Sequence, residues 1–313
     1  MRSYVLRRLL LVIPTLIGMS VLTFGVSNLT PGDPAFAFAS RLASRPATPD
    51  EVAEARKDLG LEGGLVPRYF RWAGRAARGD LGISFSTRLP VRPELVQRAG
   101  YTMQLAIPAA LLSVLIAIPV GVVSAVRRNR LSDQALRVVT LAGASVPSFW
   151  LALLLIVVVA VKLSWVPSAG RGGLVSYVLP VLTLAAAPAA VLARFTRSAL
   201  LETLTSDYVV TARAKGAREA VVVARHALRN ALVPLVTAVG TSLGALISGA
   251  AVVETVFVWP GVGRLLVEAI GQRDYPVIAG AILYSGVVFA LISLIVDLLY
   301  AVIDPRIRLT SEP

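Results

Sequence analysis

The sequence predicts an all-α polytopic membrane protein, and three observations carry that reading. Of the 313 residues 56% are hydrophobic and only 16% charged, with a mean hydropathy of +0.74, whereas a soluble domain carries about 25% charged residues. Six charge-free windows are each long enough to cross the hydrocarbon, which takes about 20 apolar residues as a helix. None of them alternates as the short strands of a membrane barrel do.

The first window, Leu9–Leu29, follows the basic head Arg2, Arg7 and Arg8, and no charge appears before Asp33. A cleaved signal peptide has an apolar core of roughly 7–15 residues and a small-residue cleavage site, so this run is expected to remain as the first span. The others are Tyr101–Val126, Val138–Val161, Leu174–Ala193, Ala231–Val253 and Val277–Val296. With a cytoplasmic N-terminus, the short inner segments hold sixteen Lys and Arg and the short outer loops four. The remaining eleven lie in the long connection Thr30–Gly100, which the positive-inside rule weighs little. Both termini are therefore expected in the cytoplasm. The organisation is then 1–29 (N-terminus and first span), 30–100 (a helical extracytoplasmic segment) and 101–303 (five further spans, with a cytoplasmic loop at 194–230). A cytoplasmic tail, 304–313, completes it.

The net charge of +13 crowds at the ends of apolar runs, as topology signals and headgroup contacts do, and does not form a nucleic-acid surface. Without cysteine, neither a disulfide framework nor a thiolate metal site is available.

Within 30–100, "TPDEVAEARKDLG" supplies Thr48 as an N-cap, Pro49 at the first helical position, Glu51 to close a capping box and Gly60 as a stop. "PRYFRWAGRAAR" places Tyr69, Trp72, Ala73 and Ala76 on one face of a helix and Arg68, Arg71, Arg75 and Arg78 on another. That helix either packs on the bundle or at the headgroups, or offers a docking surface.

Between the fourth and fifth windows lies "DYVVTARAKGAREAVVVARHALRNALVP", Asp207–Pro234. Helix propensity is high throughout, and Gly216 is the natural break. One short helix, a turn at Lys215–Gly216 and a second helix running into the membrane are expected.

Pro108, Pro119, Pro147, Pro180 and Pro188 fall in or near the spans, as kinks or as hinges. Ser145, Ser148, Thr183, Thr241, Ser242 and Ser248 either bond the backbone or partner helices or line a polar path. Asp297, near the inner end of the last window, is expected to be paired or to face water. No Gly-Lys pair exists for a P-loop, "PGVGRL" reads as a tight outer turn, His226 alone makes no metal site, and no hydrolytic set converges. No cofactor or metal is expected on this chain.

The arrangement within the basic loop resembles the cytoplasmic coupling loop of ABC importer permeases of the dipeptide/oligopeptide/nickel branch. The matching residues are Asp207, Tyr208, Val209, Thr211, Ala212, Arg213, Ala214, Lys215 and Gly216, followed by His226, Leu228, Arg229, Asn230, Ala231, Leu232 and Pro234. The glutamate of the wider superfamily aligns near Val210 and is absent. "RRLLLVIPTLIGMSVLTFGVSNLTPGDP", "RGDLGISFS", "ETVFVWPGVGRLLVEAIGQRDYPVI" and "DLLYAVIDPRIR" are also similar to the first permease subunit of these systems, in order and over nearly the whole chain.

The resemblance implies six transmembrane helices of the importer permease type in a bacterial or archaeal cytoplasmic membrane. The implied partners are a second homologous permease, two ATP-binding subunits carrying ATP and Mg, and an extracytoplasmic substrate-binding protein, with the cargo being di- or oligopeptides, or nickel, glutathione or another small solute. It implies that Asp207–Gly216 docks in an ATPase cleft, with Arg213, Lys215 and Arg218 meeting acidic groups there, and that His226, Arg229, Asn230 and Pro234 join the loop to its span. Pro147, Ser148, Ser242, Ser248, Glu254 and Asp297 are the candidates for the gate or pathway. An ion-coupled secondary transporter, which needs intramembrane ionisable pairs and broken helices in matching halves, and a structural scaffold are the competing readings.

Overall fold

The computed structural model describes residues 2–29 and 33–303. The predicted tail 304–313 lies outside them, as do Thr30–Gly32. Among the described residues the regular structure is helical apart from one isolated antiparallel bridge, Ile83 to Pro90. Three helices are long and apolar enough to cross a membrane, or up to five if two bent pairs each count as one span. The chain divides into two compact units.

The first unit holds Thr102–Trp259 with described residues from both ends of the chain. It contains most of α5 (Val91–Val126), then α6 (Leu131–Ser145), α7 (Ser148–Leu155), α8 (Val178–Leu204), α9 (Asp207–Ala214), α10 (Glu219–Val221) and α11 (Leu228–Val256). The window Val138–Val161 is broken at Pro147, one of the prolines expected as kinks or hinges: α6 and α7 with its π-helical extension Ile156–Lys162 meet at 104°. The cause is Pro147, which has no N–H to continue the helix and drives Val146 out of the helical region, to φ −72° and ψ 125°. Pro108, Pro119 and Pro188 lie inside α5 and α8, which continue through them. The fifth window lies in α11, which bends by 51° between Ala238–Gly244 and Gly249–Val256.

α8 is the spine of this unit, packing along α11 and α6. Small residues set the spacing. A Cβ at Gly121 of α5 would lie 2.5 Å from Cβ of Thr196 and 2.7 Å from the Ala193 carbonyl oxygen of α8. Only a glycine allows that approach. Ala117, Leu192, Ala193 and Leu235 fill the layer beside it.

The second unit holds Leu9–Tyr101 and Pro260–Ala290, so the segment read as 30–100 is grouped with a later stretch of chain. It contains α1 (Arg2–Leu29) from Leu9 onward, α2 (Pro34–Ala43), α3 (Pro49–Asp58), α4 (Leu65–Ala77), the start of α5, α12 (Val262–Gln272) and most of α13 (Tyr275–Ile303). α1 continues through Pro14 without a break. The capping box forms as expected: Thr48 Oγ1 accepts from the Glu51 N–H, and Glu51 accepts from the Thr48 N–H at 2.7 Å. Gly60, at φ +63°, follows the helix end. Arg45 grips the Glu51 carboxylate with both terminal nitrogens, at 3.1 and 2.7 Å. These bonds, that from Arg45 foremost, hold the Glu51 carboxyl down at about 2.

Two family-like motifs meet in this unit. The Asp274 carboxylate, 2% exposed, accepts from the Ser84 hydroxyl and from the N–H groups of Phe85 and Ser86, at 3.1 and 3.0 Å. Thus "GISFS" is folded around the aspartate of "QRDYPV". Val91, Leu95, Val262, Leu265, Ala269, Val277 and Ala281 form the apolar core beside it.

Candidate functional site

The basic loop folds as two helices with a sharp turn between them. α9 ends in a Schellman arrangement, in which the Gly216 N–H reaches the Arg213 carbonyl at 2.9 Å and the Ala217 N–H reaches that of Ala212 at 3.3 Å. Gly216 sits at φ +81° with open space where a Cβ would stand. Backbone handedness, and not room, is what demands glycine here.

One face of α9 is seated and the other is open. Val209 is fully buried among Ala125, Leu200, Val222, Val223, Ala227 and Ala231, with Ala212 and Ala217 packed at the margin. Asp207, Tyr208, Val210, Thr211, Arg213, Ala214 and Lys215 are exposed. An exposed valine, 54% accessible at Val210, stands where the wider superfamily's glutamate aligns.

Arg213 is engaged within the chain. Its guanidinium grips Glu219 across the turn at 3.0 and 2.7 Å and reaches the Leu204 carbonyl. That pairing raises the Arg213 pKa and lowers that of Glu219. Being exposed, the pair contributes little stability, but it closes the turn. Lys215 and Arg218 stand exposed beside it.

The return to the membrane is not a plain α-helix. Val222–Ala227 is π-helical, containing Arg225 and His226, and runs directly into α11. Single π turns of this kind recur at functional sites. His226 is half-buried, and its carbonyl accepts from Asn230 Nδ2 at 3.2 Å. The same Asn230 amide donates to the Tyr208 hydroxyl at 2.8 Å, so it ties α9 to the base of α11. Arg229 is exposed. The side chains of Pro234, Ser248 and Asp297 lie outside the described residues.

A cavity of about 450 Å³ opens between α7, α8 and α11. It brings together Ser148, Thr183, Pro188, Thr241 and Ser242 with Leu246. The hydroxyls of Thr183 and Ser242 donate to carbonyls four residues back on their own helices, and that of Thr241 to Ala238 three back. They do both things considered for them: they bond the backbone and they line a space, leaving oxygen lone pairs on otherwise apolar walls. Pro147 is not in the wall but precedes Ser148 as the break that starts α7. Glu254 is also elsewhere: it is fully buried and accepts from the Thr102 hydroxyl at 2.7 Å.

Sequence reasoning missed a polar knot next to the seat of α9. Asp133, fully buried, receives Arg197 Nε and Nη2 at 2.9 Å each, the Ser124 hydroxyl, and the Asn129 N–H at 2.9 Å. The available signal was that Asp133 is the sole acid in the basic segment Arg127–Arg137. Arg197 lies one turn before Leu200, which packs against Val209.

Comparison with known proteins agrees with this geometry. The family described as the binding-protein-dependent transport system inner membrane component matches residues 117–309, and the N-terminal family of the same transport membrane components matches residues 1–106. The glutathione transport system permease protein GsiC of Escherichia coli (strain K12) is 45% identical over 309 residues, 98% of this chain and 99% of that one. Its counterpart in Shigella flexneri serotype 5b is 44% identical over the same shares. Among solved structures, an inward-facing form of the MetNI methionine ABC transporter aligns with a TM-score of 0.59 at 21% identity, over 67% of this chain and 96% of that one. An amino acid ABC transporter with histidines aligns with a TM-score of 0.51 at 15% identity, over 68% and 94%. At these identities the two structures share the fold alone. Family matches over nearly the whole length and 45% identity with a permease over 98% of the chain lead to one conclusion: the chain belongs to the binding-protein-dependent transport system inner membrane components, as a non-catalytic permease subunit of an ABC importer.

Proposed function

We propose that this chain lines the path for short peptides, glutathione included, and that α9 is the handle by which partner ATPases move it. It would act beside a second permease, two ATP-binding subunits carrying ATP and Mg, and an extracytoplasmic binding protein. The observation that carries the coupling role is the two-faced seating of α9: Val209 locks one face into the bundle while the opposite face stays open. A helix held in that way transmits a push as a rigid body. ATP would then act by favouring one arrangement of the bundle over another.

The cargo reading rests on 45% identity with a glutathione permease over 98% of the chain and on the cavity at Ser148, Thr183 and Ser242. Apolar walls with scattered hydroxyls suit side chains of mixed character and do not suit a bare divalent cation, which wants several oxygen or nitrogen ligands. Six crossings with both termini in the cytoplasm follow from the charge distribution and belong to the same proposal.

The test is uptake by vesicles reconstituted with the permease and its co-purifying ATPase and binding-protein partners. Labelled glutathione, a dipeptide and Ni²⁺ would be offered with and without ATP. Glutathione or dipeptide uptake that requires ATP is expected. Accumulation of Ni²⁺ alone would overturn the cargo assignment, and uptake indifferent to ATP would overturn the coupling role.

A further inference from the structure

α6 is fastened to its unit mainly by polar groups. Of its 15 residues the buried ones are Asp133 and Thr140, while Leu131, Val138, Val139 and Leu141 are 57% to 83% exposed. A helix is ordinarily held by an apolar stripe, and the chain fully buries none of the apolar side chains of α6 beyond the half-buried Leu136. Two attachments to α8 stand out instead. Toward the end of α6, a Cβ at Gly143 would lie 3.3 Å from that of Ala190. At its first turn, Asp133 receives Arg197 Nε and Nη2 at 2.9 Å each. The Ser124 hydroxyl and the Asn129 N–H tie the same carboxylate to the end of α5.

The two attachments differ in kind. Apolar faces can slide past one another at little cost, whereas a bidentate guanidinium–carboxylate pair has directed bonds and fixes one register. The place of the pair matters as much. Arg197 stands one turn before Leu200, which packs against Val209 of α9. At its other end α6 passes through Val146 and Pro147 into α7, whose Ser148 lines the cavity. The pair thus lies between the seat of α9 and the bend that leads to the cavity wall.

We propose that Asp133 and Arg197 are a positioning pair for transport, keeping α6 in step with α8 when α9 is pushed. The bend at Pro147 and the Ser148 wall then move with the cytoplasmic handle. This rests on the coupling role proposed for α9. Without the pair, a push on Val209 still reaches Leu200 but is no longer passed to α6.

The chain has no cysteine, so Val139→Cys on α6 and Glu202→Cys near the end of α8, both exposed, can each carry a spin label. In the whole importer, otherwise cleared of cysteine and set in nanodiscs, double electron–electron resonance would compare the nucleotide-free and ATP-trapped states. With the pair intact, the 139–202 distance should be the same in both. In the double variant Asp133→Asn with Arg197→Met it should shift or broaden on ATP trapping. A distance that changes with the pair intact, or that stays fixed in the double variant, would overturn the proposal. In vesicles, uptake per ATP hydrolysed, read with the labelled peptide carried in the assay above, should fall about five-fold in the double variant, within the span by which residues between coupled sites modulate coupling. Arg197→Lys keeps the charge without the fork and should lie between the two. The double variant leaves no unmatched charge, and thermal unfolding of the same samples separates lost coupling from lost fold. An undiminished ratio in the double variant, while Gly216→Val lowers uptake, would overturn this inference and leave the handle standing. Undiminished uptake in Gly216→Val would remove both.

Discussion

Asp133 and Asp274 are both withdrawn from water, 0% and 2% exposed, and are satisfied by opposite means. Asp133 meets a full positive charge, the bidentate guanidinium of Arg197, with Ser124 and the Asn129 N–H completing its bonds. Asp274 meets neutral donors, the Ser84 hydroxyl and the N–H groups of Phe85 and Ser86. The first joins Asp133 of α6 to Arg197 of α8 and Ser124 of α5, so it sets one helix against another. The second gathers backbone groups of one loop, so it sets the path of that loop, which Gly82 enters at φ +82°. Such a contrast separates a clamp whose identity lies in both partners from one whose identity lies in the aspartate alone.

Breaking the ionic clamp should have the largest effect. Arg197→Met leaves a buried carboxylate with its charge unmatched, which costs about 3–5 kcal/mol. Thermal unfolding of the purified complex should show it, and adding Asp133→Asn to Arg197→Met should recover most of the loss. A double variant as unstable as the single one would mean that the pair is not coupled. The neutral clamp ranks next. Asp274→Ala strands the buried Phe85 N–H, at about 1–3 kcal/mol, whereas the Ser86 N–H keeps the Ser84 hydroxyl as acceptor, so hydrogen exchange should quicken at Phe85. Ser84→Ala removes one donor to Asp274 and the acceptor of the Thr87 N–H, and should cost about 1–2 kcal/mol.

The turn at Gly216 is a third case, held by backbone handedness and an exposed ion pair. Gly216→Val forces a β-branched residue into the left-handed region, where even an ordinary residue costs about 1–2 kcal/mol. ATP hydrolysis should continue while cargo uptake falls, and Gly216→Asn, which tolerates that conformation, should retain most of the uptake. Unchanged uptake in the valine variant would count against the handle.

The smallest effect concerns Glu51, another acid whose state is set by its donors. Its folded pKa, about 2, lies below the ordinary 4.5. Its contribution is therefore fully present above pH 4.5 and is lost as pH falls through about 2. Arg45→Gln should move the loss upward toward pH 4.5. Carboxyl ¹³C titration of the labelled protein reads the shift directly.

Local signals were legible where one short stretch contains both partners of an interaction. The Thr48–Glu51 capping box, the stop at Gly60 and the turn at Gly216 formed where propensity and spacing put them. The break at Pro147 was legible from the proline, though hydropathy by itself runs Val138–Val161 straight through it. A window average counts apolar residues, whereas a missing N–H acts at one bond. Arg213 was legible as a cation of the loop, yet its engagement with Glu219 depends on how the turn closes. The knot at Asp133 was not legible beyond an isolated acid, because the guanidinium that matches its charge, Arg197, is 64 residues away.

From the amino-acid order alone came the membrane class, the helices as the dominant structure, the basic loop with its glycine hinge, and the resemblance that family comparison supports. These follow from hydropathy, charge and chain stiffness, which act over a few residues. Tertiary structure decided which face of α9 is seated, which hydroxyls surround the cavity, and which donors enclose Asp133 and Asp274. Those outcomes depend on desolvation and close approach between distant segments, and neither quantity exists until the helices have packed.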